Sequence, residues 1–245
     1  MSADEAHATA TGDDTIAAAR ATLLVRARWD AEYRNRRYED EPPVAFVDRI
    51  MATLRERPAL ASRRGVYVGC GNGRNFLPLA DAGLRLDGLD VSREALGQLA
   101  SRRPDVADRL ITADFRDWRP ARAYAYAIAI QVFQHGTAAD AARWFRGAAS
   151  LLCPAGLLFV RVNSASTDIY HRHTVLETSA SGGITIRYDD GPKLGMAVHF
   201  YSRAELDLLT RDDFLPVGEP VEVFVRREAP KTGSWAQWEG VWQKR

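Results

Sequence analysis

The sequence predicts an α/β fold, a mostly parallel sheet covered by helices on both faces, and three observations predict it. Short apolar runs alternate with helix-like stretches through residues 65–162. The runs are apolar at successive positions, as strands buried on both faces must be. A glycine-rich turn joins the first run directly to a helical stretch, and such a turn sits at the carboxyl end of a parallel strand, where open sheets bind ligands.

Length and composition set the frame. The chain has 245 residues, a net charge of +1, 46% hydrophobic and 27% charged residues. That is enough for one domain with extensions and a core that needs no staples. Residues 1–14 read as a loose polar tail and 15–245 as a single domain, with 15–58 as a helical cap. No apolar run reaches 18 residues, so no membrane span is expected. The opening MSADEAHATATGDD is acidic and lacks the apolar core of a secretory signal. Two cysteines, Cys70 and Cys153, make neither a disulfide framework nor a CxxC zinc site. A reducing, cytoplasmic location is expected, with no nucleic-acid partner implied by the overall charge.

The elements follow in order. Thr15 to Arg37 is helical in pattern, with Ile16, Ala19, Leu23 and Ala27 on one face. After an acidic, proline-bearing linker, Pro43 opens a helix running to about Leu54 with Phe46, Ile50 and Leu54 as its buried stripe. Gly65 to Val68 is the first strand and Asn75 to Ala82 the helix after it. Leu84 to Leu89 is the second strand, and Ser92 caps the next helix. Leu110 to Ala113 and Tyr124 to Val132 are strands three and four. Thr137 caps a helix containing Ala141, Trp144, Phe145 and Leu151, and Leu157 to Val162 is strand five. The alternation then breaks for about 35 residues, within which Ile184 to Tyr188 and Met196 to Tyr201 flank Asp189-Asp190-Gly191-Pro192 as a hairpin. Ser202 to Glu205 reads as a capping box. Val221 to Val225 and Trp235 to Trp242 supply a last strand pair.

The chemistry concentrates in Val68-Gly69-Cys70-Gly71-Asn72-Gly73-Arg74-Asn75. Alternating glycines permit positive φ and let a ligand approach bare backbone, and the helix start offers unpaired N–H groups. The dinucleotide fingerprint wants glycine where Arg74 stands, which weakens a nicotinamide reading. Asp90, 21 residues after Gly69, ends strand two. There a carboxylate can accept from both hydroxyls of a ribose, or simply favour the following helix start. Asp114 and Phe115 end strand three. An acid followed by a backbone N–H can read the edge of adenine.

Together these residues resemble the class I S-adenosylmethionine-dependent methyltransferases. Val68 to Gly73 looks like that family's first motif, Leu89-Asp90-Val91-Ser92 its ribose motif and Ala113-Asp114-Phe115 its adenine motif. Ile130 to His135 looks like its fourth strand and the segment after it. Leu152-Cys153-Pro154-Ala155-Gly156 is similar to its L-x-P-G-G turn, with Ala155 replacing one glycine. Trp29-Asp30-x-x-Tyr33 and Tyr38 are similar to thiopurine- and tellurite-resistance-type members, whose leading segment folds over the cofactor. The resemblance implies a Rossmann-like sheet of seven strands, the last antiparallel, and S-adenosylmethionine as cofactor. It also implies a lid insertion at 164–198. The implied cofactor-binding residues are Trp29, Tyr33, Gly69, Cys70, Gly71, Asn72, Gly73, Asn75, Asp90, Val91, Asp114, Phe115 and Gln131.

Methyl transfer is an in-line displacement that needs alignment and exclusion of water rather than a metal. His135, after strand four, is the candidate base, with an alternative as a loop organiser. Tyr38, Arg161, Asn163, Tyr170, His171, His199 and Tyr201 are candidates for the substrate side, and no metal site is expected. Gln131-Val132-Phe133-Gln134 lacks the Asp/Asn-Pro-Pro-aromatic run of enzymes that methylate DNA or protein amides. A small-molecule acceptor follows, a secondary metabolite or xenobiotic, methylated on O, N or S by a monomer or homodimer. The competing readings are a nucleotide- or NAD-dependent Rossmann enzyme and a non-catalytic cofactor-binding module. Trp235, Trp238 and Trp242 are expected to cover the sheet edge as core aromatics.

Overall fold

The structure, a computed structural model, describes residues 23, 25–36, 38 and 41–245. The expected tail and the first half of the expected leading helix lie outside the described residues. Helix α1 is seen over 25–34. It is followed by α2 (Phe46–Arg55), α3 (Pro58–Ala61), β1 (Gly65–Val68), α4 (Phe76–Asp81), β2 (Leu86–Asp90), α5 (Arg93–Arg102), β3 (Leu110–Thr112), β4 (Tyr124–Ile130), α6 (Ala138–Leu151) and β5 (Leu152–Asn163). The second half adds β6 (His173–Thr178), β7 (Ile184–Tyr188), β8 (Ala197–Phe200), α7 (Arg203–Thr210), β9 (Phe214–Pro216), β10 (Val221–Arg226) and β11 (Ser234–Lys244).

The main sheet runs in the order β10-β11-β5-β4-β1-β2-β3, with β9 added on β11. Strands β1 to β5 pair in parallel, and β11 is antiparallel to both β5 and β10. The seven-strand path is therefore the expected one, and the short β9 is an eighth strand that the sequence reading lacked. Alternate residues of β1 feed opposite cores, as a two-residue period dictates. Val66 and Val68 join Phe133, Phe145 and Trp242 on one face. Tyr67 joins Phe76, Ile128, Phe159 and the α2 stripe Phe46, Ile50 and Leu54 on the other.

Three local expectations change. Strand β5 begins at Leu152, not Leu157, and its pairing with β4 jumps from Tyr124–Leu152 to Tyr126–Leu157. Within that jump Ala155 adopts φ +60°, the conformation that glycine favours. At Gly156 a β-carbon would meet the backbone oxygens of Cys153 and Ala125. The expected hairpin is present as β7 and β8, but β6 extends it to a separate three-stranded sheet. Strand β6 is exposed along nearly its whole length, so it carries no apolar period to read. Finally, Ser202 caps α7 by accepting from the Glu205 N–H at 3.0 Å, but the box is half formed. The Glu205 carboxylate turns instead to His199 Nε2 at 2.8 Å. The full reciprocal box occurs on α6, between Thr137 and Asp140.

Candidate active site

A cleft of ≈ 850 Å³ opens at the carboxyl ends of β1, β2, β4 and β5, within the range of small-ligand sites. Its floor is the glycine-rich turn, where Gly69, Gly71 and Gly73 take φ of +68°, +54° and +98°. The turn is tied to β2, with Gly69 and Cys70 N–H both donating to the Leu89 carbonyl at 2.7 and 3.1 Å. A β-carbon at Gly69 would run into Val132, and one at Gly71 into the Tyr33 hydroxyl. Gly73 differs: its neighbours are Leu99 and Leu77, and it does not line the cleft. It shapes the turn and admits α5 packing, which corrects its expected place among the ligand contacts.

Asp90 does both things the sequence allowed. One oxygen accepts the Gly71 N–H and the other the Ser92 N–H, each at 2.8 Å, which locks the turn to the start of α5. A carboxylate has about four lone-pair sites, so roughly half remain for a ligand in the cleft that it lines. Burial raises its pKa to about 6, against the opposing pull of the Ser92 and Gly71 N–H groups. At Asp114, burial would raise the pKa, but the Arg116 guanidinium overcomes it and the net shift is downward. That guanidinium approaches at 2.6 Å. Phe115 stacks on Trp144 with centroids 5.5 Å apart, and the buried Trp144 Nε1 has no hydrogen-bond partner.

Helix α1 lies across the cleft as a strap. Trp29 meets the His135 ring edge-on at 5.0 Å, and Tyr33, one turn later, covers Gly71. Asp30 fastens one side by accepting from Ser92 Oγ at 2.6 Å and the Glu94 N–H at 3.2 Å. Arg26 donates to the Val91 carbonyl, and Gln98 to that of Tyr33. Arg28 fastens the other side by donating to the Pro192 and Leu194 carbonyls in the β7–β8 turn. Tyr38 packs 6.0 Å from Tyr33 and lines the cleft.

The far wall comes from the ends of β4 and β5. Gln131 takes φ +60°, a strained conformation of the kind that gathers at functional sites. Its N–H donates to the Arg161 carbonyl at 2.7 Å. The His135 ring lies beside it, bonded to the Gln131 backbone and held neutral. Burial and the nearby Lys193 lower its pKa to about 3. The Gln131 backbone opposes that shift without overcoming it. Nδ1 is buried and has no hydrogen-bond partner among the described residues. Burial thus moves His135 away from the ordinary histidine value that suits a general base. Arg161 is paired with Glu239 at 2.8 Å, yet burial still lowers its pKa.

The structure gathers Trp29, Tyr33, Tyr38, Gly69, Cys70, Gly71, Asn72, Asn75, Asp90, Val91, Asp114, Phe115, Gln131, His135 and Arg161 around one cleft. It places five expected substrate residues elsewhere. Asn163 is buried as acceptor for the Trp235 and Gln237 side chains. His199 is buried between Thr185 and Glu205, and Tyr201 donates to the Phe133 carbonyl in the core. His171 pairs with Asp190 at 3.1 Å at the hairpin end, and Tyr170 beside it is exposed. Asn163, His199 and Tyr201 were placed by two-residue spacing along a strand, which fixes a face but not what covers it. Trp242 and Trp238 pack as expected, but Trp235 is 37% exposed on the cleft rim. Sequence reasoning missed Asp30, Arg28, Gln134, Trp144 and Gln237. Gln134 and Trp144 lay in segments read as a strand end and a helix stripe, and Asp30 lay between Trp29 and Tyr33, where helix-start capping by an acid was its available signal.

Residues 66–156 match the methyltransferase-domain family. No curated protein matches the chain in sequence. Among solved structures it is similar to the 1,6-didemethyltoxoflavin-N1-methyltransferase of Burkholderia thailandensis, solved with its substrate and S-adenosylhomocysteine. The identity is 17% and the TM-score 0.62, over 96% of this chain and 91% of that one. It is similar also to the magnesium protoporphyrin IX methyltransferase of Synechocystis PCC 6803, at 16% identity and TM-score 0.62, over 91% and 99%. TehB of Haemophilus influenzae aligns at 13% identity and TM-score 0.58, over 88% of this chain and 67% of that one. Residues 66–156 thus match a methyltransferase domain, and the chain is built on the fold that these S-adenosylmethionine-dependent methyltransferases share.

Proposed function

We propose that this enzyme uses S-adenosylmethionine to methylate an oxygen, nitrogen or sulfur atom of a small molecule. The observation that carries the reading is one cleft that joins a nucleoside-sized cradle, Gly69 to Asn72 with Asp90 and Asp114, to the orphaned Nδ1 of His135. The cradle fits the donor. Two glycines leave bare backbone, Asp90 keeps lone pairs for a ribose diol, and Asp114 stands where an adenine amine is expected. The structural relatives that act on toxoflavin precursors and on a porphyrin support a small-molecule acceptor.

When bound, the cofactor supplies an activated methyl group, so the chain's own task is alignment and exclusion of water. Strap α1 and the β7–β8 turn close the cleft, Trp29 and Trp235 supply apolar walls, and Tyr38 and Arg161 face the acceptor. His135 Nδ1, buried without a partner on the cleft wall, would accept a hydrogen bond from the acceptor's O–H or N–H and so orient it. The acceptor's proton would pass on to solvent, because a ring whose pKa is held at about 3 does not keep a proton near neutral pH. The segments 15–58 and 164–198 serve as cap and lid of a single domain.

Titrating the full chain with S-adenosylhomocysteine and with NAD tests the donor, and an acceptor panel with labelled S-adenosylmethionine tests the transfer. Binding of NAD but not S-adenosylhomocysteine sinks the reading.

A further inference from the structure

A second recess, of ≈ 350 Å³, lies at the opposite end of the sheet. Its walls are Ser62, Arg63 and Arg64 before β1, Arg85 before β2 and Arg122 before β4. Strand β1 alone separates it from the glycine-rich turn by roughly 13 Å, at about 3.3 Å per residue. A small occupant there touches neither donor nor acceptor.

Four exposed guanidiniums around one recess concentrate positive charge there, because arginine stays ionised at every accessible pH. The fold provides one acid. Asp87 lies 3.3 Å from Arg64 and also accepts from the Tyr124 hydroxyl at 2.8 Å. Among the described residues, the side chains of Arg63, Arg85 and Arg122 form no hydrogen bond or ion pair. One buried polar atom near them, the Tyr126 hydroxyl, has no hydrogen-bond partner among the described residues. Tyr126 feels the charge of Arg85, and its ring covers Gly65, the first residue of β1. The recess thus combines excess planar cations with an exposed serine residue, and an unpartnered tyrosine hydroxyl lies near it.

We propose that this recess binds a small phosphate-bearing anion, a diphosphate group by charge and size, at a site separate from the methyl-transfer cleft. Guanidinium forks match phosphate oxygens in pairs, and three loops converge so that one diphosphate is gripped from different sides. The rival account is that these arginines only complement the carboxyl ends of α3 and α4, in which case they stabilise the chain with no ligand at all.

The test is calorimetric titration of the full chain with inorganic pyrophosphate, with ADP in parallel, at fixed ionic strength because exposed charges are screened by salt. The expected result is saturable binding that weakens at least tenfold in R85Q/R122Q and is unchanged in R146Q, an exposed arginine on α6. Tighter binding of ADP than of pyrophosphate assigns the anion to a nucleotide, and the reverse to the free diphosphate. S-adenosylhomocysteine affinity should be the same in all variants, which separates this site from the cleft. If R85Q/R122Q folds poorly, the single variants R63Q and R122Q carry the comparison. No saturable binding, or equal weakening in R146Q, overturns the proposal. So does a variant that loses thermal stability without ligand while binding pyrophosphate unchanged.

Discussion

The Tyr33 hydroxyl occupies the space that a β-carbon at Gly71 would need. A residue of the strap is thereby seated on the backbone of the glycine-rich turn. Gly71→Ala meets two obstacles, a φ of +54° and the Tyr33 ring. The left-handed conformation alone costs a residue with a β-carbon roughly 1–2 kcal/mol. Denaturant unfolding should show a loss of at least that size, and Tyr33→Ala should recover part of it in the double variant. Strictly additive losses would mean that the strap does not rest on the turn.

Asp90 sets the pH dependence expected for donor binding. Its folded pKa is raised to about 6, and only the ionised carboxylate accepts from both ribose hydroxyls. S-adenosylhomocysteine affinity should therefore be level above pH 7 and fall as pH drops through about 6, approaching tenfold per unit. Binding near pH 6 should release a proton, visible as a buffer-dependent heat. Asp90→Ala should weaken binding about ten- to a hundredfold, the value of one charge-assisted pair at roughly 1.5–3 kcal/mol, and should abolish the slope. An undiminished affinity at pH 5 in the native protein counts against the contact.

The strap makes an independent prediction. Asp30→Ala removes the acceptor that ties α1 to Ser92 and Glu94, while the residues of the cradle stay in place. Dissociation of S-adenosylhomocysteine should quicken several-fold, and α1 should be cut by protease at similar rates with and without ligand. Undiminished protection by ligand in this variant would show that Asp30 does not hold the strap closed.

His199 was read from its strand position as lining the acceptor pocket or packing under the hairpin, and it packs there, joining the three-stranded sheet to α7. Thr185 on β7 and Glu205 on α7 flank it at 2.8 Å each, and it is 1% exposed. His199→Ala leaves Glu205 buried without its partner and should cost about 3–5 kcal/mol, read by urea unfolding. Glu205→Gln keeps a hydrogen-bonding group and should cost less than about 1.5 kcal/mol. Catalytic loss in a fully stable His199→Ala protein would return this residue to the acceptor site.

The contrast between Asp90 and His199 shows what the sequence made legible. Asp90, the glycines and Asp114 sit at strand ends in a topology that fixes the direction of each strand end, so their convergence followed from spacing. The buried runs of β1, β2 and β4 and the caps Ser92 and Thr137 were legible for the same reason: each signal is local. What failed was long-range. β6 and β9 have little apolar period, so pairing alone defines them. His199 and Tyr201 share a face, but α7 and the Phe133 backbone cover that face. Trp235 and Gln237 reach the cleft because β11 returns antiparallel beside β5, a register no local pattern encodes.

His135 carries the sharpest prediction. Its ring is buried, edge-on to Trp29, and near Lys193, so the folded protein holds its pKa down at about 3, well below the usual 6.5. Protonation is therefore disfavoured near neutral pH, and Nδ1 is buried without a hydrogen-bond partner. The rate with saturating acceptor should be flat between pH 5 and 8, with no acid limb near 6.5, unless the acceptor itself titrates there. His135→Ala should lower kcat about 100-fold, the lower end for one proton-handling group, with S-adenosylhomocysteine affinity nearly unchanged. The effect should shrink below tenfold for a thiol acceptor, which is already partly ionised near neutral pH. An acid limb near pH 6.5 that vanishes in His135→Ala would mean that the ring titrates normally in the working complex and that burial by Trp29 is relieved on acceptor binding. A His135→Ala protein that turns over normally but binds the donor weakly would make His135 an organiser of the loop after β4, with no part in the proton's path.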